Sequence, residues 1–128
     1  MKEWVVVQKA VIAEGNKYLI LKRSPKAHAY PNCWDFAGGK LEAGEDISES
    51  VEREVLEETS LKVKAIRPVF IFHEFVNSHP SVFILYQCNK ISGKIRLSEE
   101  HTEFKWATKE EILKLKTEKF LRAFLKTK

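Results

Sequence analysis

The chain has 128 residues, with 22 Lys and Arg against 18 Asp and Glu, a formal net charge of +4 at pH 7. That length leaves room for one domain with one core, and we expect residues 1–128 to form it. At 44% hydrophobic and 31% charged residues the chain is neither disordered nor built of membrane spans; its longest apolar runs, such as residues 82–86, are strand-sized.

In chain order, residues 4–12 are rich in β-branched side chains and residues 17–22 are apolar again. Glu14-Gly15-Asn16 lies between them as a turn signal, which predicts a hairpin. Pro25 and Pro31 predict a loop over 24–33, and residues 33–37 a short strand broken by Gly38-Gly39. Residues 46–59 predict a helix: Asp46 can cap it, Glu49 can complete a capping box, and Ile47, Val51 and Val55 recur every four residues. Two β-like stretches follow, about 61–76 and 81–91, with Asn77-Ser78-His79-Pro80 between them. Residues 103–106 predict a short strand, Thr108 the start of a helix, and residues 118–126 a second helix after a break near Thr117. This order is not a regular strand–helix alternation, so the expected class is α/β of the α+β kind, a mixed sheet with helices packed on it.

Charge is distributed unevenly along these elements. Sixteen of the acids are glutamates, and several crowd into residues 42–58. On a helical wheel Glu54, Glu57 and Glu58 share a face that borders the apolar stripe, so the trio is expected to lie against the protein. Glu49 and Glu52 fall near the opposite side and read as a solvated edge. Like charges three and four apart repel, and Glu57 and Glu58 sit where the helix dipole disfavours anions. A divalent cation removes both objections, and hard carboxylate ligands suit Mg²⁺ or Mn²⁺. A solvated surface helix in a Glu-rich chain is the competing reading of the helix taken alone. Two neighbours favour the cation. Gly38-Gly39 lets backbone groups approach a metal or phosphate, and Arg53 can clamp the loop acid Glu45.

Gly39, then five residues, Glu45, then seven residues, then Arg53-Glu54-Val55-Leu56-Glu57-Glu58-Thr59-Ser60-Leu61 resemble the Nudix box, G-x5-E-x7-R-E-U-x-E-E-x-G-U, with U an aliphatic residue. Ser60 departs from the pattern, standing where the family has glycine. If that position is left-handed, Ser costs roughly 1 kcal/mol there but removes no ligand.

The resemblance implies a Nudix-type α/β/α sandwich, with the box helix packed on a mixed sheet, that hydrolyses a pyrophosphate bond with Mg²⁺. By position it assigns Glu54, Glu57 and Glu58 as metal ligands, with the Gly38 carbonyl, and Arg53 and Glu45 as their partners. The proton acceptor would be Glu57, Glu54 or a loop acid at Glu99, Glu100 or Glu103. The stretch from Cys33 to Asp46 is similar to that of MutT-type enzymes, which cleave nucleoside triphosphates to a monophosphate and pyrophosphate. Arg23 falls where those enzymes bind phosphate, and His28 and Lys40 could also reach it. Phe36, Trp34, Phe72, Phe75 and Phe83 could stack on a base, although aromatics at strand spacing usually form core. The alternatives are the same chemistry on a nucleotide sugar or dinucleoside polyphosphate, and a non-catalytic ligand sensor of the same fold.

The remaining expectations concern location and partners. Cys33 and Cys88 show no disulfide or zinc spacing, and the N-terminal sequence shows no signal-peptide pattern, so a reducing, cytoplasmic location is expected. The C-terminal lysines alternate with Glu110, Glu111 and Glu118, which fits solvated helices; a small-molecule partner is expected, with no membrane or nucleic acid.

Overall fold

The structure is a computed structural model that describes residues 3–128; Met1 and Lys2 of the expected 1–128 unit lie outside the described residues. The N-terminal hairpin forms from β1 (Val5–Glu14) and β2 (Lys17–Arg23), but the two strands pair only at its tip, Ala13 with Tyr18 and Glu14 with Lys17. Below the tip they part and recruit different partners. β1 pairs antiparallel with β4 (Gly38–Lys40) and parallel with β6 (His79–Ser92). β2 pairs antiparallel with β3 (Trp34–Asp35) and β7 (His101–Thr108), and β5 (Lys62–Val76) closes the other edge against β6. The parallel β1–β6 pair makes the sheet mixed, as expected.

Alternation along β1 sorts side chains to two cores. Ala10 and Ile12 join Leu19, Leu21 and Leu61 beneath α1 (Ile47–Thr59), where Val51 and Val55 are fully buried. Val11 joins Phe36, Phe83, Phe120 and Phe124 on the opposite face, beneath α2 (Lys109–Leu113) and α3 (Lys119–Leu125). The result is the expected three-layer sandwich. A full capping box starts α2, with the Thr108 hydroxyl accepting from Glu111 N and the Glu111 carboxylate accepting from Thr108 N.

Several local expectations change. Gly38-Gly39 does not break a strand; it is β4, paired with Lys9 and Gln8 of β1. A Cβ on Gly38, whose φ is 154°, would lie 2.0 Å from the Gln8 carbonyl oxygen, so only glycine permits this pairing. The β5–β6 connection is shorter than expected: Asn77 and Ser78, both at positive φ, make a two-residue turn and His79-Pro80 already belongs to β6. At the start of α1, Asp46 accepts from Ser48 N and Glu49 N, but the reciprocal half of the capping box does not form. Glu52 is not a solvated edge. Its carboxylate accepts from Ala65 N at 2.8 Å, on the edge strand β5. Ser60 ends α1 in the left-handed region at φ 66°, the conformation anticipated from its place in the box.

Candidate active site

The C-terminal half of α1 faces β4 and a segment that returns over it. Helix ends leave carbonyls unpaired. Here Arg96 N donates to Thr59 O at 2.8 Å and Ser98 N to Glu58 O at 3.1 Å, which lays residues 93–100 across the helix end. Ser24 N donates to Glu100 O at 2.9 Å and fixes that segment's far end. Glu100 and His101 are thereby held over Glu58.

The three helical acids do not share one environment. Glu58 is buried and accepts from Gly38 N at 3.1 Å. Burial drives its carboxyl up to about 9, against the pull of Lys9 and the Gly38 N–H. Glu54 is largely covered and packs on Gly39, where a Cβ would lie 2.7 Å from its carboxyl carbon. Burial raises its pKa, Arg53 opposes this, and the charges of Glu57 and Glu100 add to it. Glu57 points outward instead of against the protein, accepting two hydrogen bonds from Arg53 Nη1 at 3.0 and 3.1 Å. The wheel contained this distinction. Val51 and Val55 lie at about 60° and 100° from Glu54, so Glu58, at about 40°, falls inside the stripe while Glu57, at about 300°, falls outside it.

The anticipated Arg53–Glu45 clamp forms: Arg53 Nε and Nη2 donate to Glu45 Oε2 at 3.2 and 2.9 Å. Glu45 also accepts from Glu42 N and the Ser50 hydroxyl, and these bonds hold its pKa down. Arg53 therefore ties the loop before α1 to the helix and lies 3.4 Å from Glu54.

The candidate substrate residues separate. Lys40 and His28 are exposed. Arg23 is already engaged, donating from Nε to Ala29 O at 2.9 Å and from Nη1 to Asp35 Oδ2 at 3.2 Å, with a quarter of its side chain exposed. Phe36 is a correction: its ring is fully buried among Tyr18, Phe120 and Phe124 and has no free face for a base. Phe83 stacks on Phe120 and Trp34 is buried, so neither offers a face either, whereas Phe75 is exposed at the β5–β6 turn. Of the loop acids, Glu103 pairs with Lys22 at 3.4 Å and Glu99 is exposed; Glu100 is the one drawn to the helix.

Lys9, Asp35 and His101, which carried no sequence-based assignment, and Glu118, expected in a solvated helix but buried, complete the surroundings. Lys9 is buried and donates to Asp35 Oδ2 at 2.8 Å. Its pKa stays raised although burial lowers it, because Asp35, Glu118 and Glu58 lie close. A lysine inside the apolar run of β1 was the available signal. Glu118, buried beside Asp35 and Arg23, is pushed well above the usual carboxylate range by burial and by Asp35. His101 is 5% exposed, and neither ring nitrogen has a partner. One of its nitrogens and carboxylate oxygens of Glu58 and Glu100 all lie within 4.8 Å of one another.

The donors suit a hard divalent cation. Carboxylates from two elements converge, and one of them, Glu58, is buried.

The sequence and fold also match known proteins. The NUDIX domain pattern matches residues 5–127. Curated relatives include the nucleoside triphosphatase NudI of Escherichia coli O139:H28, 24% identical over 128 residues, covering 88% of this chain and 90% of that one. Among solved structures, a MutT protein from Methanosarcina mazei Go1 superposes with a TM-score of 0.90 at 26% identity, covering 98% of this chain and 93% of that one. A C. elegans Ap4A hydrolase shares the fold, with a TM-score of 0.79 at 20% identity over 95% of this chain and 93% of its own. The chain belongs to the Nudix family and is a MutT-like Nudix hydrolase. Hydrolases of this family generally use divalent metals and act on small nucleotide compounds. No helix among the described residues is long and apolar enough to cross a membrane.

Proposed function

We propose that this hydrolase cleaves a nucleoside triphosphate to a monophosphate and pyrophosphate, with Mg²⁺ as the cation and Mn²⁺ able to substitute. The observation that supports it most is the convergence of Glu58 and Glu100, from α1 and the returning segment, beside Glu54 on the glycine strand. Glu58, Glu54 and Glu100, with the Gly38 carbonyl, would hold the cation, and Glu57 would join by releasing Arg53. When bound, the cation neutralises phosphate oxygens and acidifies an attacking water.

The chain's own groups do the rest. Glu54 makes only a 3.4 Å contact with Arg53, against the two shorter bonds of Glu57. Its carboxylate is therefore the better proton acceptor, and it takes the water's proton at an oxygen. Arg53 and Glu45 fix the helix so that these acids keep their places. Lys40, exposed at the end of β4, the uncovered part of Arg23 and exposed His28 would meet the polyphosphate. The name of the NudI relative, a nucleoside triphosphatase, favours a triphosphate over a nucleotide sugar or dinucleoside polyphosphate. Free, buried Cys33 and Cys88 suit a cytoplasmic setting.

A panel of nucleoside triphosphates, nucleotide sugars and dinucleoside polyphosphates, assayed with Mg²⁺ and with Mn²⁺, tests the reading. Pyrophosphate release from a triphosphate is the expected result. Orthophosphate release, or cleavage confined to another compound class, overturns the substrate assignment. Tight binding of a compound without cleavage favours a sensor.

A further inference from the structure

His101 opens β7 at an irregularity. Lys22 pairs with Glu103, but Arg23 pairs with His101, so Thr102 is the extra residue. Such a bulge restarts the alternation of a strand and re-aims a side chain. Glu103, which regular alternation would place on the same face as His101, is exposed, whereas His101 turns inward and is buried.

The inward position carries a cost. Both ring nitrogens are shielded from solvent and unpartnered, and each such buried group costs about 1–3 kcal/mol unless something satisfies it. An ion or a water is the usual resolution. The surroundings discriminate between them. One imidazole nitrogen, one Glu58 oxygen and one Glu100 oxygen lie mutually within 4.8 Å, a spacing that three ligands of a single ion satisfy.

We propose that His101 is a nitrogen ligand of the cation held by Glu58 and Glu100, and that this mixed donor set makes the site prefer Mn²⁺ to Mg²⁺. The proposal rests on the reading above that a divalent cation binds here. It departs from it in ligand type: imidazole suits first-row transition ions, whereas Mg²⁺ favours oxygen and water. The other histidines, His28, His73 and His79, are exposed and do not compete for this place.

The test uses the full chain and Mn²⁺ alone. Pulsed electron paramagnetic resonance of bound Mn²⁺ should show ¹⁴N modulation, replaced by the ¹⁵N pattern in protein labelled with ¹⁵N-histidine. His101→Asn should abolish the modulation and weaken Mn²⁺ about tenfold or more, with Mg²⁺ affinity, read by competition, changed far less. The labelled wild-type protein keeps the test decisive if the variant fails to fold. Bound Mn²⁺ without histidine-nitrogen modulation overturns the proposal, as does modulation that persists in His101→Asn. In those cases cleavage of a triphosphate would still leave the proposed function standing. Histidine-ligated Mn²⁺ without triphosphate cleavage would support the ligand while removing the substrate. Failure of both ions to bind would remove the ligand and the cation site together.

Discussion

Two clusters of charge sit close together in this molecule, and they are built on opposite plans. The first joins Lys9, Arg23, Asp35 and Glu118: two cations against two acids, with contacts of 2.8, 3.2 and 3.7 Å. Lys9 and Arg23 hold Asp35 below its usual range despite complete burial, while Glu118 is pushed up, which favours a proton on Glu118. The second gathers Glu54, Glu58 and Glu100, with Arg53 bonded mainly to Glu45 and Glu57 and with Lys9 already committed to Asp35. The first cluster carries a cation for every acid and needs at most a proton on Glu118. A cluster left negative is stable only with protons or with a cation, and that difference separates scaffold from active site here.

The largest expected effect breaks the second cluster without harming the fold. Glu58→Gln keeps an oxygen to accept from Gly38 N and removes a buried acid. Turnover should fall about 10³-fold or more, because several kcal/mol of transition-state charge stabilisation go with the cation. Metal-free stability at pH 8, measured by urea denaturation, should rise. Full turnover in the variant would remove Glu58 from the site, and a large stability loss would place it in the scaffold.

Asp35→Asn should behave in the opposite way. It leaves Lys9 buried without its anion, a loss of about 3–5 kcal/mol, readable as a lowered denaturation midpoint. Replacing Lys9 and Asp35 together with apolar residues of similar volume should recover most of that loss. If the double variant is no better than the single one, the first cluster is more than a balanced pair.

These contrasts show what the sequence makes legible. The box helix was readable because its information is local: Val51 and Val55 four apart, Asp46 at the start, the Arg53–Glu45 spacing, and Ser60 at the end. The hairpin and the terminal helices were readable for the same reason. The Lys9–Asp35 pair spans 26 residues and the Glu52–Ala65 bond 13, so neither contact has a local pattern. His101 was hidden by parity, since regular alternation would have turned it outward with exposed Glu103. Phe36 was misjudged because an aromatic beside the glycine strand looks the same in sequence whether it faces a ligand or Phe120 and Phe124.

Titration offers a smaller and more selective comparison. Glu58 has a folded pKa raised to about 9, so the folded state holds a proton that the unfolded state has lost above the ordinary carboxylate range. Its contribution is fully present at low pH and disappears as pH rises through about 9. The metal-free protein should therefore lose about 2–3 kcal/mol between pH 6 and pH 8 through Glu58, and Glu118, also pushed up, acts in the same direction. Glu58→Gln should remove one share of the slope, and saturating Mg²⁺ should flatten the same share in the wild type. A slope unchanged by both would mean that Glu58 carries its charge without cost in the fold.

Ser60→Gly gives the smallest effect and separates charge from backbone. Ser60 holds φ 66° at the end of α1, where a side chain costs about 1 kcal/mol and glycine costs nothing sterically. The substitution also removes an exposed hydroxyl bond to Arg96 O at 3.3 Å, which offsets a few tenths of a kcal/mol. A net gain of about 0.5–1 kcal/mol is expected in urea denaturation. Because no titrating group is touched, the gain should be the same at pH 6 and pH 8, with turnover unchanged. A gain confined to one pH would show that the helix end is coupled to Glu58 through Ser98 N on the Glu58 carbonyl, and the two clusters would then differ in backbone as well as in charge.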